Sequence, residues 1–287
     1  MTSQYSPAAL AVLMADPELA EGLRRGLLAG LAVLALVIPP SLHSPHFGRP
    51  ADALAAASSR AATAGASQAG PHLGPRFADF GTHTPSPDAR HVADWAADSG
   101  NHANADFVIV DKLHARVYVF DAQARLRAAT PVLLGAAPGD DSVVGIGQRP
   151  LAEVLPEERT TPAGRFVAER GRNALGEDVV WVDYDAAVSM HRVRTTTPSE
   201  RRLERLATPT IADNRISYGC INVPVAFFET WIAPTFARQR GVVYVLPEFR
   251  PVQEVFGSYD VAARHSSESA AAGATPMHAA LRNPTVN

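Results

Sequence analysis

The chain has 287 residues, 46% of them hydrophobic, with a formal net charge of −3. That length suits one sizeable core with tails or two small domains, and the near-balanced charge offers no basic surface to nucleic acid. A single cysteine excludes an internal disulfide framework, so the thiol is structural, reactive or incidental.

In chain order, Arg24-Arg25 precede an apolar run from Leu27 to Ile38 that is closed by Pro39-Pro40. A membrane span needs about 20 apolar residues; this shorter run fits the apolar core of a signal peptide. Residues 1–40 are read as an export signal or membrane anchor in contact with the inner membrane. With the arginines kept inside, the remainder lies outside that membrane, on the periplasmic side of the envelope. A buried helix of a soluble protein is the alternative. Residues 41–100 are rich in Ala, Ser, Pro and Gly and read as a linker. One short helix is expected over Ala89–Ala97, around Trp95. His43, His46, His72, His83 and His91 are scattered through this stretch and read as linker polarity, with a metal-binding tract as the alternative.

Residues 101–250 carry the folded domain. Phe107 to Asp111 and Ala115 to Asp121 are expected strands joined at Lys112-Leu113-His114, and Leu126 to Leu134 a third. Short consecutive strands predict a mainly β fold, laid out as an antiparallel meander. Gly135 to Thr160 reads as a long loop or lid; its Gly145-Ile146-Gly147 lacks the third glycine of a phosphate loop. Thr161-Pro162-Ala163-Gly164 turns into a strand that runs to Glu169, and Val179–Tyr184 and Val188–His191 follow. Thr197-Pro198-Ser199-Glu200 predicts a capped helix from Pro198 to about Leu206. A second helix, Val223 to Arg238, is expected to bury Phe227, Phe228 and Trp231. Gly241 to Leu246 closes the domain, and residues 251–287 read as a disordered tail.

The chemistry centres on Cys220, the sole cysteine, in the turn Ser217-Tyr218-Gly219-Cys220. His191, the only histidine between His114 and His265, ends an apolar strand upstream. A thiol becomes a nucleophile when an imidazole or a helix N-terminus lowers its pKa. The sequence offers both: His191 as base, and a helix capped by Asn222 directly after Cys220. Gly219 permits a sharp turn, and the amides of Gly219 and Cys220, with Tyr218, are candidate oxyanion donors. A small buried cysteine and a structural histidine are the alternative reading.

Ser217-Tyr218-Gly219-Cys220-Ile221-Asn222 resembles the signature of the L,D-transpeptidase (YkuD-like) catalytic domain, Ser/Thr-His-Gly-Cys-x-Asn or Arg. Val110 to Asp121 is similar to that family's opening hairpin, Thr161 to Phe166 to its Thr-Pro-x-Gly-x-Phe turn, and Gly241–Val245 to its last strand. The resemblance runs from about Asp106 to Pro247. It implies a β-sandwich-type catalytic domain with Cys220 as acylated nucleophile and His191 as general base. The carbonyl of Arg192 would orient the imidazole, the amides around Tyr218, Gly219 and Cys220 would form the oxyanion hole, and Ser217 belongs to the same catalytic motif. It further implies a peptidoglycan stem tetrapeptide as donor, a second stem as acceptor, a 3→3 cross-link, and no metal or organic cofactor. Two departures stand out: Tyr218 replaces the family histidine, and the interval from His191 to Cys220 is longer, with an Arg-rich helix inside it. The rival readings are an L,D-carboxypeptidase or amide hydrolase, and a non-catalytic wall-binding protein on the same fold.

Overall fold

In the computed structural model, which describes residues 74–273, period-two apolar runs build one large mixed sheet. β1 (Phe107–Asp111) pairs antiparallel with β2 (Arg116–Phe120), and β2 with β3 (Leu126–Pro131). β5 (Gly164–Arg172), β6 (Asp178–Asp183) and β7 (Val188–Arg192) form a second antiparallel run. β10 (Gly241–Val245) joins the halves, parallel to β1 and antiparallel to β5. β9 (Ile221–Val223) lies parallel to β7 at the far edge. The eight strands therefore run β3-β2-β1-β10-β5-β6-β7-β9. β4 (Leu134–Gly135) and β8 (Arg215–Ser217) make a separate parallel pair.

The protein is thus mainly β with a few helices. The expected meander holds within each half, but the β1–β10 and β7–β9 pairings are parallel because the chain crosses over between those strands instead of turning back. The strand expected from Leu126 to Leu134 ends at Pro131, whose missing N–H weakens further pairing. Leu134 then pairs with β8 instead.

Alternation along the strands fills a core on each face of the sheet. On one face Phe107, Ile109, Tyr118, Phe120, Val242 and Tyr244 pack against α1 (Pro87–Ser99), which contributes Val92, Trp95 and Ala96. On the other, Val108, Val110, Val117, Val119, Val243 and Val245 meet Phe227, Phe228 and Ile232. Those last residues belong to a broken helix, α3 (Val225–Phe227) and α4 (Ala233–Thr235) flanking a π-helical turn (Phe228–Ile232). The expected single helix from Val223 therefore starts later and is interrupted; Phe227 and Phe228 are buried as expected, whereas Trp231 is only half-buried.

The boundaries also need correcting. The linker assigned to 41–100 gives way to folded chain before α1: Ser86 caps that helix through the Ala89 amide, and Ala78 and Phe80 are buried in the core. The tail assigned to 251–287 contains α5 (Val252–Phe256) and α6 (Val261–Gly273). Val252 and Val261 are buried, and Asp98 at the end of α1 accepts hydrogen bonds from Tyr259 and His265. A low-complexity composition hid these anchors. The 1–40 leader, the early linker with His43, His46 and His72, and residues 274–287 lie outside the described residues. Among the described residues no helix is long and apolar enough to cross a membrane.

Candidate active site

The parallel pairing of β7 with β9 brings the candidate residues together. His191 is the register partner of Asn222, and Met190 of Ile221. Met190 and Ile221 point into the core, so His191 and Asn222 share the opposite face. Cys220 sits just before β9, and Ser189 lies two residues before His191 on the same face of β7.

His191 is held by one unambiguous bond. Its Nδ1 lies 2.8 Å from the carbonyl oxygen of Arg192. A carbonyl only accepts, so Nδ1 carries the proton, and in the neutral ring Nε2 is left as acceptor. The carbonyl expected to orient the imidazole thus contacts it. The Arg192 guanidinium points elsewhere, to Glu229 and the carbonyl of Asp178.

Cys220 Sγ is half-buried and lies 3.7 Å from both Ser189 Oγ and the Ala187 carbonyl. Burial alone pushes the thiol pKa up; the hydrogen bond and charge of His191, with Ser189, outweigh it and hold Cys220 below its ordinary value. The helix N-terminus contributes nothing. Cys220 is followed by β9, α3 begins only at Val225, and Pro224 occupies the cap. Asn222 is therefore not a helix cap. Its side chain is fully buried, donating through Nδ2 to the Cys220 carbonyl at 3.1 Å and lying 3.5 Å from His191 Nε2.

The turn before Cys220 is braced from two sides. Ser217 Oγ donates to the Cys220 carbonyl at 2.6 Å and accepts the Gly219 N–H at 3.1 Å. That bond occupies the Gly219 amide, one of the donors expected to face an oxyanion. Gly219 has φ +125°, and a Cβ there would stand 2.8 Å from the Thr160 carbonyl, so only glycine fits. From the other side, Thr161 Oγ1 donates to the Gly219 carbonyl and accepts the Gly135 N–H. Tyr218 is 38% exposed, its ring covered by the Arg159 guanidinium 4.0 Å from the ring centroid.

The 136–160 segment is irregular apart from short 3-10 turns, as expected of a loop. It leans on the site at Gly147, where a Cβ would collide with the backbone of residues 185–187, including the Ala187 N at 2.8 Å. The Arg-rich segment after β7 forms a 3-10 turn (Pro198–Glu200) and α2 (Arg202–Ala207). Arg201, in the left-handed region, breaks the expected continuous helix, and Thr197 makes no side-chain cap. α2 also reaches the site: Arg202 is only 13% exposed and donates to Asn222 Oδ1 at 2.6 Å.

Sequence reasoning thus brought Cys220, His191, Arg192, Gly219, Tyr218 and Ser217 to one place. It missed Ser189, Arg202 and the part played by Asn222. Ser189 was within reach, since period two on β7 puts it on the face of His191; Arg202 depended on a crossover that carries no local signal. Among the described residues no group of three or more His, Cys, Asp or Glu is placed to hold a metal ion.

The chain matches no protein-family model and no curated protein. Among solved structures it is similar to the helical cell shape determining protein Pgp2 from Campylobacter jejuni, at 16% identity and TM-score 0.35, covering 51% of this chain and 49% of that one. It is also similar to an L,D-transpeptidase from Mycobacterium smegmatis, at 14% identity and TM-score 0.30, covering 49% and 58%. The catalytic domain of the E. faecium L,D-transpeptidase matches at 15% identity and TM-score 0.28, covering 50% of this chain and 98% of that domain. The chain thus spans about half the length of the Campylobacter jejuni protein.

Proposed function

We propose that the protein is a cysteine acyltransferase that forms 3→3 cross-links between peptidoglycan stem peptides in the cell envelope. The observation that carries this reading is the His191–Cys220 arrangement: an imidazole whose proton is fixed on Nδ1, beside a sole cysteine held below its ordinary pKa. The motif around Cys220 supplies the substrate class.

In this mechanism His191 Nε2 takes the thiol proton and the thiolate attacks the carbonyl of the third stem residue. The tetrahedral oxyanion draws on the amides of Tyr218 and Cys220, since Ser217 holds that of Gly219. Collapse expels D-alanine, which leaves with the proton from His191, and gives a thioester on Cys220. The side-chain amine of a second stem then attacks the thioester, gives up a proton to His191, and restores the thiol. Substitution of water for the amine gives the carboxypeptidase outcome. The loop resting on residues 185–187 favours the acyltransferase, because it shields the acyl-enzyme on the side of Ala187.

The test incubates the full chain with purified disaccharide-tetrapeptide and reads protein and products by mass spectrometry, alongside Cys220→Ala. Cross-linked dimer made only by the wild type supports the reading. Tripeptide without dimer replaces it with hydrolysis. No acyl-enzyme and no product replaces it with binding.

A further inference from the structure

The stretch between β7 and β9 exceeds what a simple connection needs, and one of its side chains returns to the centre. Arg202 Nη1 donates to Asn222 Oδ1 at 2.6 Å, while its Nε donates to Glu200 Oε2, also at 2.6 Å. Arg205, on the next turn, fastens the segment by donating to the carbonyls of Glu200 and Asp213. Asn214 anchors its far end to the Val132 carbonyl. The guanidinium is thereby fixed from behind and presents one donor forwards.

A guanidinium only donates, so the Asn222 amide has Oδ1 toward Arg202 and Nδ2 toward Cys220 and His191. The Cys220 carbonyl demands the same orientation, because it too only accepts. His191 Nε2, already defined as acceptor by the Arg192 bond, therefore faces an amide donor at 3.5 Å. Asn222 is buried, and without Arg202 its Oδ1 would lose the partner that holds it.

We propose that Arg202 is a positioning residue: through Asn222 it holds the Cys220 carbonyl and the His191 ring in the geometry that activates the thiol. The long interval before Cys220 thus supplies the site with a lock on its buried amide. The inference rests on the proposed role of Cys220 as nucleophile but not on the peptidoglycan substrate. The charged groups around the pair are Arg202 with Glu200 on the rim segment, and Glu177, which feels the charge of His191 and pairs with Arg194. Arg159 lies over Tyr218 on the loop side.

The test follows the rate of iodoacetamide alkylation of Cys220 against pH in the full chain; as the sole cysteine, it gives an unambiguous signal. Arg202→Ala should raise the midpoint by about half a pH unit or more and slow alkylation at pH 7 about threefold. Arg202→Lys, which keeps a donor toward Oδ1, should recover most of the wild-type profile. Thermal unfolding is recorded on each variant, and if Arg202→Ala does not fold, Arg202→Gln replaces it in the same comparison. A midpoint equal to wild type in the alanine or glutamine variant, whatever its melting temperature, overturns the proposal, since a purely structural arginine changes stability and not the profile. Wild-type protein that alkylates at a low midpoint yet makes no cross-link would remove the peptidoglycan reading and leave the role of Arg202 standing.

Discussion

Thr161 Oγ1 donates to the carbonyl of Gly219 at 2.8 Å, joining the turn that opens β5 to the turn that carries Cys220. The same oxygen accepts the Gly135 N–H at 2.9 Å, so one hydroxyl links three segments. Thr161→Val keeps the shape and leaves a buried amide and a buried carbonyl without partners. It should destabilise the fold by about 2 kcal/mol and slow alkylation of Cys220, while Thr161→Ser keeps both bonds. Chemical denaturation with alkylation kinetics checks both effects; an unchanged valine variant would show that the hydroxyl is dispensable.

The thiol should titrate below the ordinary cysteine range because His191 and Ser189 outweigh the burial that would raise it. Thiolate therefore persists to lower pH than in an ordinary cysteine and is lost as pH falls through the lowered value. His191→Ala removes the stabilising charge and leaves the burial, so the midpoint should move above that of a free thiol. Alkylation rate against pH measures it, and superimposable profiles for the two proteins would exclude His191 as the activating group.

The loop contact at Gly147 gives a test of shielding. A Cβ at that position meets the backbone of residues 185–187, whose Ala187 carbonyl touches Cys220 Sγ. Gly147→Ala should lift the loop locally, raising the share of hydrolysed over cross-linked product. Product ratios by mass spectrometry read it; an unchanged ratio would mean that this loop does not guard the acyl-enzyme.

Lys112 gives the fold a pH dependence of its own. It is fully buried, bonded to Asp140, to the Thr161 carbonyl and to the Gly139 carbonyl. Burial pushes its pKa down to about 8, with Asp140 opposing the shift. Between that value and the unfolded one of about 10.4, the unfolded chain binds more protons than the folded one. This group therefore makes stability rise with pH across that window. Lys112→Met should flatten the rise in melting temperature between about pH 8 and about pH 10, and should lower stability by about 2 kcal/mol, because the Gly139 and Thr161 carbonyls lose their donor while Asp140 keeps the amides of Glu248, Phe249 and Arg250. Calorimetry across the window distinguishes the two effects.

How much of this is legible in the sequence depends on the range of each interaction. Strands such as Val117–Phe120 and Gly241–Val245 announce themselves by composition, and the Cys220 turn by its glycine. The parallel pairing of β7 with β9 has no local signature; without it Asn222 reads as a helix cap and Arg202 as a surface charge. The same limit hid the ends of the domain. Ala- and Ser-rich composition reads as linker or tail, yet Trp95, Val252 and Val261 each find a buried place against distant strands or helices.

The β7–β9 register also divides the molecule into parts that differ in freedom. The separation of His191 and Cys220 is set by backbone hydrogen bonds between neighbouring strands, in which Arg192 pairs with Val223 just beyond them. The chain between those strands leaves the sheet and returns to it, and each doubling of a loop's length costs only about 0.6 kcal/mol. Apart from Arg202 and the residues that fasten it, that segment is open to lengthening, trimming or recharging while the thiol and imidazole keep their spacing. It is where the proposed acyltransferase would gain a new acceptor preference.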